Sequence, residues 1–257
     1  MLKNAFAYVT RKSLKSLIIL LIILSMSALS LISLSIKDAT NKASEETFGN
    51  ITNSFTMEIN RRVNQGTARG GGNVRGQDIK KIVDSGHVDN FVKRINSVAN
   101  LDDNLDIVEA PGASRNESAE RAKNFKRAVM LTGVNSSQKE TKFVSGAYKL
   151  VEGEHLTSED KNKILMHKDL AAKNNLKVGD KIKLKSNVYD ADNEKKANET
   201  VEVEIKGLFD GHGKSAVTYS QELYENTLIT DVHTAAKVYG NTEDTATYQD
   251  ATFFVKG

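Results

Sequence analysis

Two patterns of hydrophobic and polar positions divide the chain. From Ser16 to Ile36 no charge interrupts the run SLIILLIILSMSALSLISLSI, in which fifteen residues are Leu, Ile, Met or Ala and six are Ser. As a helix these residues reach about 31 Å at ~1.5 Å each, which matches a hydrocarbon core of about 30 Å. Serine fits there because its hydroxyl can bond a carbonyl one turn back. The six serines read either as filler or as a face that packs on other helices. A secretory leader has a shorter apolar core and a small-x-small cleavage site. The sequence here continues with Lys37-Asp38-Ala39-Thr40-Asn41-Lys42, so an uncleaved anchor is expected over 16–36. Upstream, Leu2, Ala5, Phe6 and Val9 share one helical face, with Lys3, Arg11 and Lys12 elsewhere. Segment 1–15 therefore reads as a basic, amphipathic stretch on the inner membrane surface.

Past residue 50 the apolar runs are short and mixed in period. Residues 37–49 keep helix-compatible composition and read as a stalk. Ser54–Asn60 alternates like a half-buried strand. Asn64–Gly76 has five glycines in thirteen residues and reads as a loop. Helix is expected at Gln77–Ser85, a long strand at Val88–Leu101, helix at Glu117–Lys126 and strand at Arg127–Val134. Short strands at Lys163–Met166 and Lys181–Lys185 flank a helix at Lys168–Asn175. Thr200–Phe209 is the clearest strand, with Val201, Val203 and Ile205 inward and Glu202, Glu204 and Lys206 outward. Asp190–Thr200 is polar, a loop or hairpin tip. A strand at Thr227–Thr230, a helix at Asp231–Tyr239 and a strand at Ala251–Val255 complete the order.

Charge fixes an orientation. Lys3, Arg11, Lys12 and Lys15 precede the apolar run with no acid among them. The positive-inside rule places the N-terminus in the cytoplasm and residues 37–257 outside. The chain's net charge is +3. Those four cations leave −1 on the remainder, so the basic excess gives no argument for nucleic acid as a partner. Zero cysteines exclude disulfides, thiolate metal sites and a thiol nucleophile.

Motifs for chemistry fail on spacing. Gly213-Lys214-Ser215 follows a strand, but a phosphate-binding loop needs glycine where Leu208 stands. Asp102, Asn104 and Asp106 open like a calcium loop, as do Asp190, Asp192 and Glu194. Both lack the turn glycine and the closing acid, so they read as solvated turn acids. The histidines at 87, 155, 167, 212 and 233 have no ligand spacing and read as surface or capping groups. No catalytic, cofactor-binding or metal residue is assigned, and no enzyme activity is expected.

A constellation carries more information. It runs Gly146-x6-Gly153-Glu154-His155-Leu156-Thr157-x2-Asp160, then Ile164-Leu165-Met166-x3-Leu170-Ala171. Next comes Asn175-Leu176-Lys177-Val178-Gly179-Asp180-Lys181-Ile182-Lys183-Leu184. Val203-x-Ile205-x-Gly207-Leu208-Phe209 and Ile229-Thr230-Asp231-x3-Ala235-Ala236 follow. Physically, Thr157 is expected to cap a helix start, Gly179 to take a positive-φ turn position, and Asp231 to cap the last helix. This order resembles the extracytoplasmic domain of FtsX/MacB-like ABC transporter permeases, with Glu154-His155 where the family has Gly-Arg. The longer runs NAFAYVTRK, ETFGNITNSF, INRRVNQGT, KFVSGAYKLVEGEHLT and KSAVTYSQELYENT resemble Vex-type streptococcal export permeases.

The resemblance implies an α+β architecture. One N-terminal transmembrane helix leads into a MacB-like extracytoplasmic domain. A porter-type α/β layer over 50–140 and 226–257 is interrupted by a smaller β-rich sabre-type insertion over 141–225. It implies the N-terminal part of a permease subunit that couples cytoplasmic ATP hydrolysis to extracytoplasmic motion or export. Its partners would be a cytoplasmic ABC ATPase subunit, a second permease copy or related permease, and membrane lipid. Family members continue into three further membrane helices, so the chain reads as truncated, with its last strand left without pairing context. The alternative is a self-standing, membrane-anchored extracellular binding or adaptor domain.

Overall fold

The computed structural model describes residues 14–15, 17–30, 54–58, 74–110, 117–193, 195–211, 213 and 217–255. The chain divides into two units, 1–53 and 54–257. In the first, residues 14–15 and 17–30 are helical, with the large apolar side chains exposed. Ser25 Oγ donates to Ile22 O at 2.9 Å and Ser27 Oγ to Ile23 O at 2.8 Å, the backbone bonding that lets serine sit in an apolar helix. Among the described residues no helix is long and apolar enough to cross a membrane. Residue 16 and residues 31–36 of the expected span lie outside them, as do residues 1–13 of the expected amphipathic stretch, the stalk and most of the glycine-rich loop.

The second unit is built on eleven described strands: β1 Ser54–Glu58, β2 Val74–Arg75, β3 Val88–Leu101, β4 Ala128–Val134, β5 Lys149–Gly153, β6 Lys163–His167, β7 Lys181–Ser186, β8 Thr200–Asp210, β9 Thr227–Asp231, β10 Thr247–Tyr248 and β11 Asp250–Val255. Its described helices are α1 Gly76–Asp84, α2 Ala119–Asn124, α3 Thr141–Val144, α4 Lys168–Lys173 and α5 Val232–Val238. Six pairings close a ring. β3 pairs β4, β4 pairs β9, β9 pairs β6, β6 pairs β8, β8 pairs β7, and β7 returns to β3. The β4–β9 and β6–β8 contacts are parallel and the other four antiparallel. Closure covers most of the strand edges in the ring. Its lining is one apolar cluster that includes Leu101, Leu131, Ile164, Met166, Leu184, Val203, Ile205 and Leu228.

Two strands outrun the ring. β8 pairs β7 through its first half and β5 through its second on the same edge. β3, with fourteen residues, pairs β11 over Val88–Arg94 and β7 over Ala99–Leu101. β11 in turn pairs β1. Phe55, Phe253 and Phe91 lie in register across β1, β11 and β3, with ring centroids 5.0 and 6.4 Å apart. This open sheet packs under α1 as a second core containing Ile79, Ala251 and Phe253. The last strand is therefore paired on both edges, contrary to the expectation that it lacks pairing context. It lies between β1 and β3 because β1 comes from the start of the unit.

α5 joins the two cores. Val238 packs in the ring cluster, while Val232, Ala235 and Ala236 pack in the open-sheet cluster. Small residues allow the close approach: a Cβ added to Gly133 on β4 would lie 2.3 Å from Ala235 Cβ. Asp231 caps α5 as expected, accepting from Thr234 N at 2.7 Å. Its other oxygen accepts from Thr234 Oγ1 at 2.7 Å and Lys163 N at 3.0 Å. Burial pushes this carboxyl above the usual range, opposed by those donors. Gly179 has φ +93°, the turn conformation expected of it.

One expected element is absent. Thr157 opens a turn and not a helix, its N–H and hydroxyl both donating to Asp160 Oδ2 at 2.8 and 3.1 Å. Asn162 then takes φ +56° and β6 starts at Lys163, which leaves no room for helical turns.

Gly133→Ala is expected to destabilise the full chain by about 1–3 kcal/mol through overpacking, measured by urea unfolding in detergent micelles. Adding Ala235→Gly should restore part of the loss. A Gly133→Ala chain as stable as the parent would contradict the close approach of α5.

Candidate functional site

The edge of β3 is open between the end of β11 and the start of β7. Arg94 is the last residue paired with β11 and Ala99 the first paired with β7. Main-chain groups in that gap need partners. Arg94 O accepts from Gln249 N at 2.7 Å. Val98 is served by a side chain: its N–H donates to Tyr239 Oη at 3.1 Å, and the same hydroxyl lies 2.8 Å from Val98 O. Tyr239 follows α5 directly, so the helix end clasps the strand edge.

The hydroxyl also contacts Asp190 Oδ2. It carries one proton and faces two acceptors, so it donates to one at a time. Asp190 is buried, at 9% exposure, and not the solvated turn acid expected. The loop after β7 is held in place by amides. Asn193, 2% exposed, donates to Asn187 O at 3.1 Å and Ala197 O at 2.8 Å, and accepts from Ala197 N at 2.8 Å. Asn187 donates to Asn100 Oδ1 at 3.1 Å and Asn124 O at 3.3 Å. Ser186 Oγ donates to Val238 O at 2.6 Å. Burial of Asp190 follows from this folding of the loop against β3 and α5, which no spacing rule within 190–200 reveals.

A cleft of about 380 Å³ opens over the gap, within the range of small-ligand sites. Its floor is Ile95 and Asn96 of β3 with Ala235, Ala236 and Tyr239. One wall carries Arg75, Gln77, Asp244 and Gln249, the other Asp192, Asn193, Lys195 and Asn241. Lys195 Nζ donates to Asn241 Oδ1 at 2.5 Å. A second cleft of about 420 Å³ lies near the start of α5, lined by Lys93, Asn135, Asp160, His233 and Glu243 among others. There Lys93 pairs with Glu243 at 2.8 Å.

The other motifs disperse. Asp102 and Asp103 pair with Lys185 at 3.2 and 2.9 Å. The backbone N–H of Asp103 and the Lys185 ammonium hold the Asp102 carboxyl below its usual range. Asp106 meets Asn174 through its backbone. His167 is buried and caps α4: its Nδ1 accepts from Asp169 N at 3.2 Å, which leaves Nε2–H to donate to Gly211 O at 2.9 Å. His155 Nδ1 lies 2.9 Å from Ser137 Oγ, which accepts from Leu156 N. Burial lowers the His155 pKa. Phe143, Tyr148, Phe209 and Tyr224 form an aromatic group, and Lys142 Nζ donates to Tyr148 Oη at 3.0 Å and lies 4.3 Å from the Tyr224 ring centre. Burial pushes the Lys142 ammonium pKa down. Glu194, His212 and Lys214 lie outside the described residues.

The family model described as the MacB-like periplasmic core domain matches residues 16–255. No curated protein matches. Among solved structures, the periplasmic region of MacB from Actinobacillus actinomycetemcomitans is similar at TM-score 0.46 and 15% identity, covering 84% of this chain and 80% of that one. The extracellular domain of the noncanonic ABC-type transporter YknZ from Gram-positive bacteria is similar at TM-score 0.42 and 12% identity, covering 80% of this chain and 83% of that one.

Removing the Tyr239 hydroxyl tests the clasp. Tyr239→Phe leaves the buried Val98 N–H without its partner, at a cost of about 1–3 kcal/mol. Hydrogen exchange should accelerate at Val98 and in the 187–199 loop, with β6 and β9 unchanged. Unaltered exchange at Val98 would contradict the clasp.

Proposed function

The chain belongs to the MacB-like periplasmic core domain family, and from that footing we propose that it is the N-terminal part of an ABC transporter permease subunit. On this reading residues 16–36 cross the plasma membrane once and 37–257 stand outside. A cytoplasmic ABC ATPase is the motor, a second permease copy or a related permease is the membrane partner, and the outer unit moves or meets cargo. The role is mechanical and binding, not catalytic. Within the family, the Vex-type export permeases remain the specific assignment we favour. The observation that carries the proposal is the family match over 16–255. The charge-free run behind four cations supports the topology.

A second reading has its own support. β11 is paired by β1 and β3, which supports a self-standing, membrane-anchored binding or adaptor domain. Recovery of an ABC ATPase with the solubilised chain distinguishes the two. The permease reading expects the ATPase, and its absence favours the adaptor.

Because the chain has no cysteine, a single introduced thiol reports topology without background. In intact cells Lys183→Cys, exposed on β7, should react with a membrane-impermeant maleimide. Lys12→Cys should react only after permeabilisation. Equal labelling of both before permeabilisation would overturn the single-span topology.

A further inference from the structure

We propose that the cleft over the β3 gap binds a short, extended peptide with free termini, read through its main chain. Side chains on a strand alternate, and so do its main-chain hydrogen-bonding directions. Arg94 O meets Gln249 N, and Val98 N–H and O meet Tyr239, all on the edge toward β11 and β7. Asn96 lies midway between them, so its N–H and C=O face the cleft. A strand edge that presents these groups accepts an added extended segment. Around it, the side-chain amides of Gln77, Asn96 and Gln249 line the cleft and have no hydrogen-bond partner among the described residues. Each offers a donor and an acceptor, the complement of a peptide unit.

Length and charge narrow the ligand. The gap covers Ile95–Val98, about 13 Å at ~3.3 Å per residue. β11 and β7 close it at either end, so a long strand from a partner protein would collide with them. A segment of about three residues fits both that length and the volume. Among the described residues the lining carries charges of both signs, Arg75 and Lys195 with Asp244. This suits a ligand with an ammonium at one end and a carboxylate at the other, and disfavours a ligand of single charge. Because the walls belong to the two sides of the fork, such a ligand would tie the open sheet to the loop after β7.

The proposal rests on this geometry and not on membrane placement or ATPase coupling. The test uses the full chain in detergent micelles with trialanine, its acetylated and amidated form, and maltotriose, observed by ligand-detected saturation-transfer NMR. Trialanine should bind, and exchange should slow at residues 95–98. The Asn96→Ala/Gln249→Ala chain, which removes no internal bond of those side chains, should bind about tenfold more weakly, as should the blocked peptide to the parent. Undetectable binding of trialanine, equal binding by the double variant, equal binding of the blocked form, or binding of maltotriose as tight as trialanine would each overturn the proposal.

Discussion

Every strand has two edges, and the main-chain groups on both must be partnered. β3 meets this requirement in three ways along one side, save at Asn96, which faces the cleft. β11 takes its first half, β7 its end, and the Tyr239 hydroxyl the residue between. The opposite edge belongs to β4. The ring could not close without β7 on β3, and the open sheet could not attach without β11 on the same strand. The cleft exists because these two strands diverge from one edge, and α5 lies where it does because it fills the angle between them.

Much of the strand order was legible because it rests on local period. β3, β6, β8 and β9 alternate or run apolar over the lengths observed, and the burial of Val201, Val203 and Ile205 follows the alternation. The cap at Asp231 and the turn at Gly179 were legible because each depends on a residue type with a specific backbone role. β5 was missed because Lys149–Gly153 is largely exposed and shows no two-residue rhythm. Thr157 misled because a hydroxyl three residues before an acid suits a turn as well as a helix start.

The site was not legible, and for a physical reason. Tyr239, Asp190, Asn96 and Gln249 are separated by up to roughly 150 positions and carry no motif. What brings them together is the divergence of β11 and β7, a property of pairing and not of composition. The acids with calcium-like spacing show the converse. Asp102 and Asp190 sit in similar local sequence, yet one faces Lys185 at the surface and the other is enclosed beneath α5.

The pairing of β1 with β11 sets a clock on assembly. Thr56 and Thr252, whose hydroxyls meet at 2.9 Å, are 196 positions apart. At synthesis rates of about 5–20 residues per second the earlier strand waits roughly 10–40 s for the later one. The ring can close once β9 has emerged, but half of β3 keeps a bare edge until β11 arrives. For that interval the newly made chain carries an adhesive strand on an otherwise finished barrel, and chaperone capture has its natural target there.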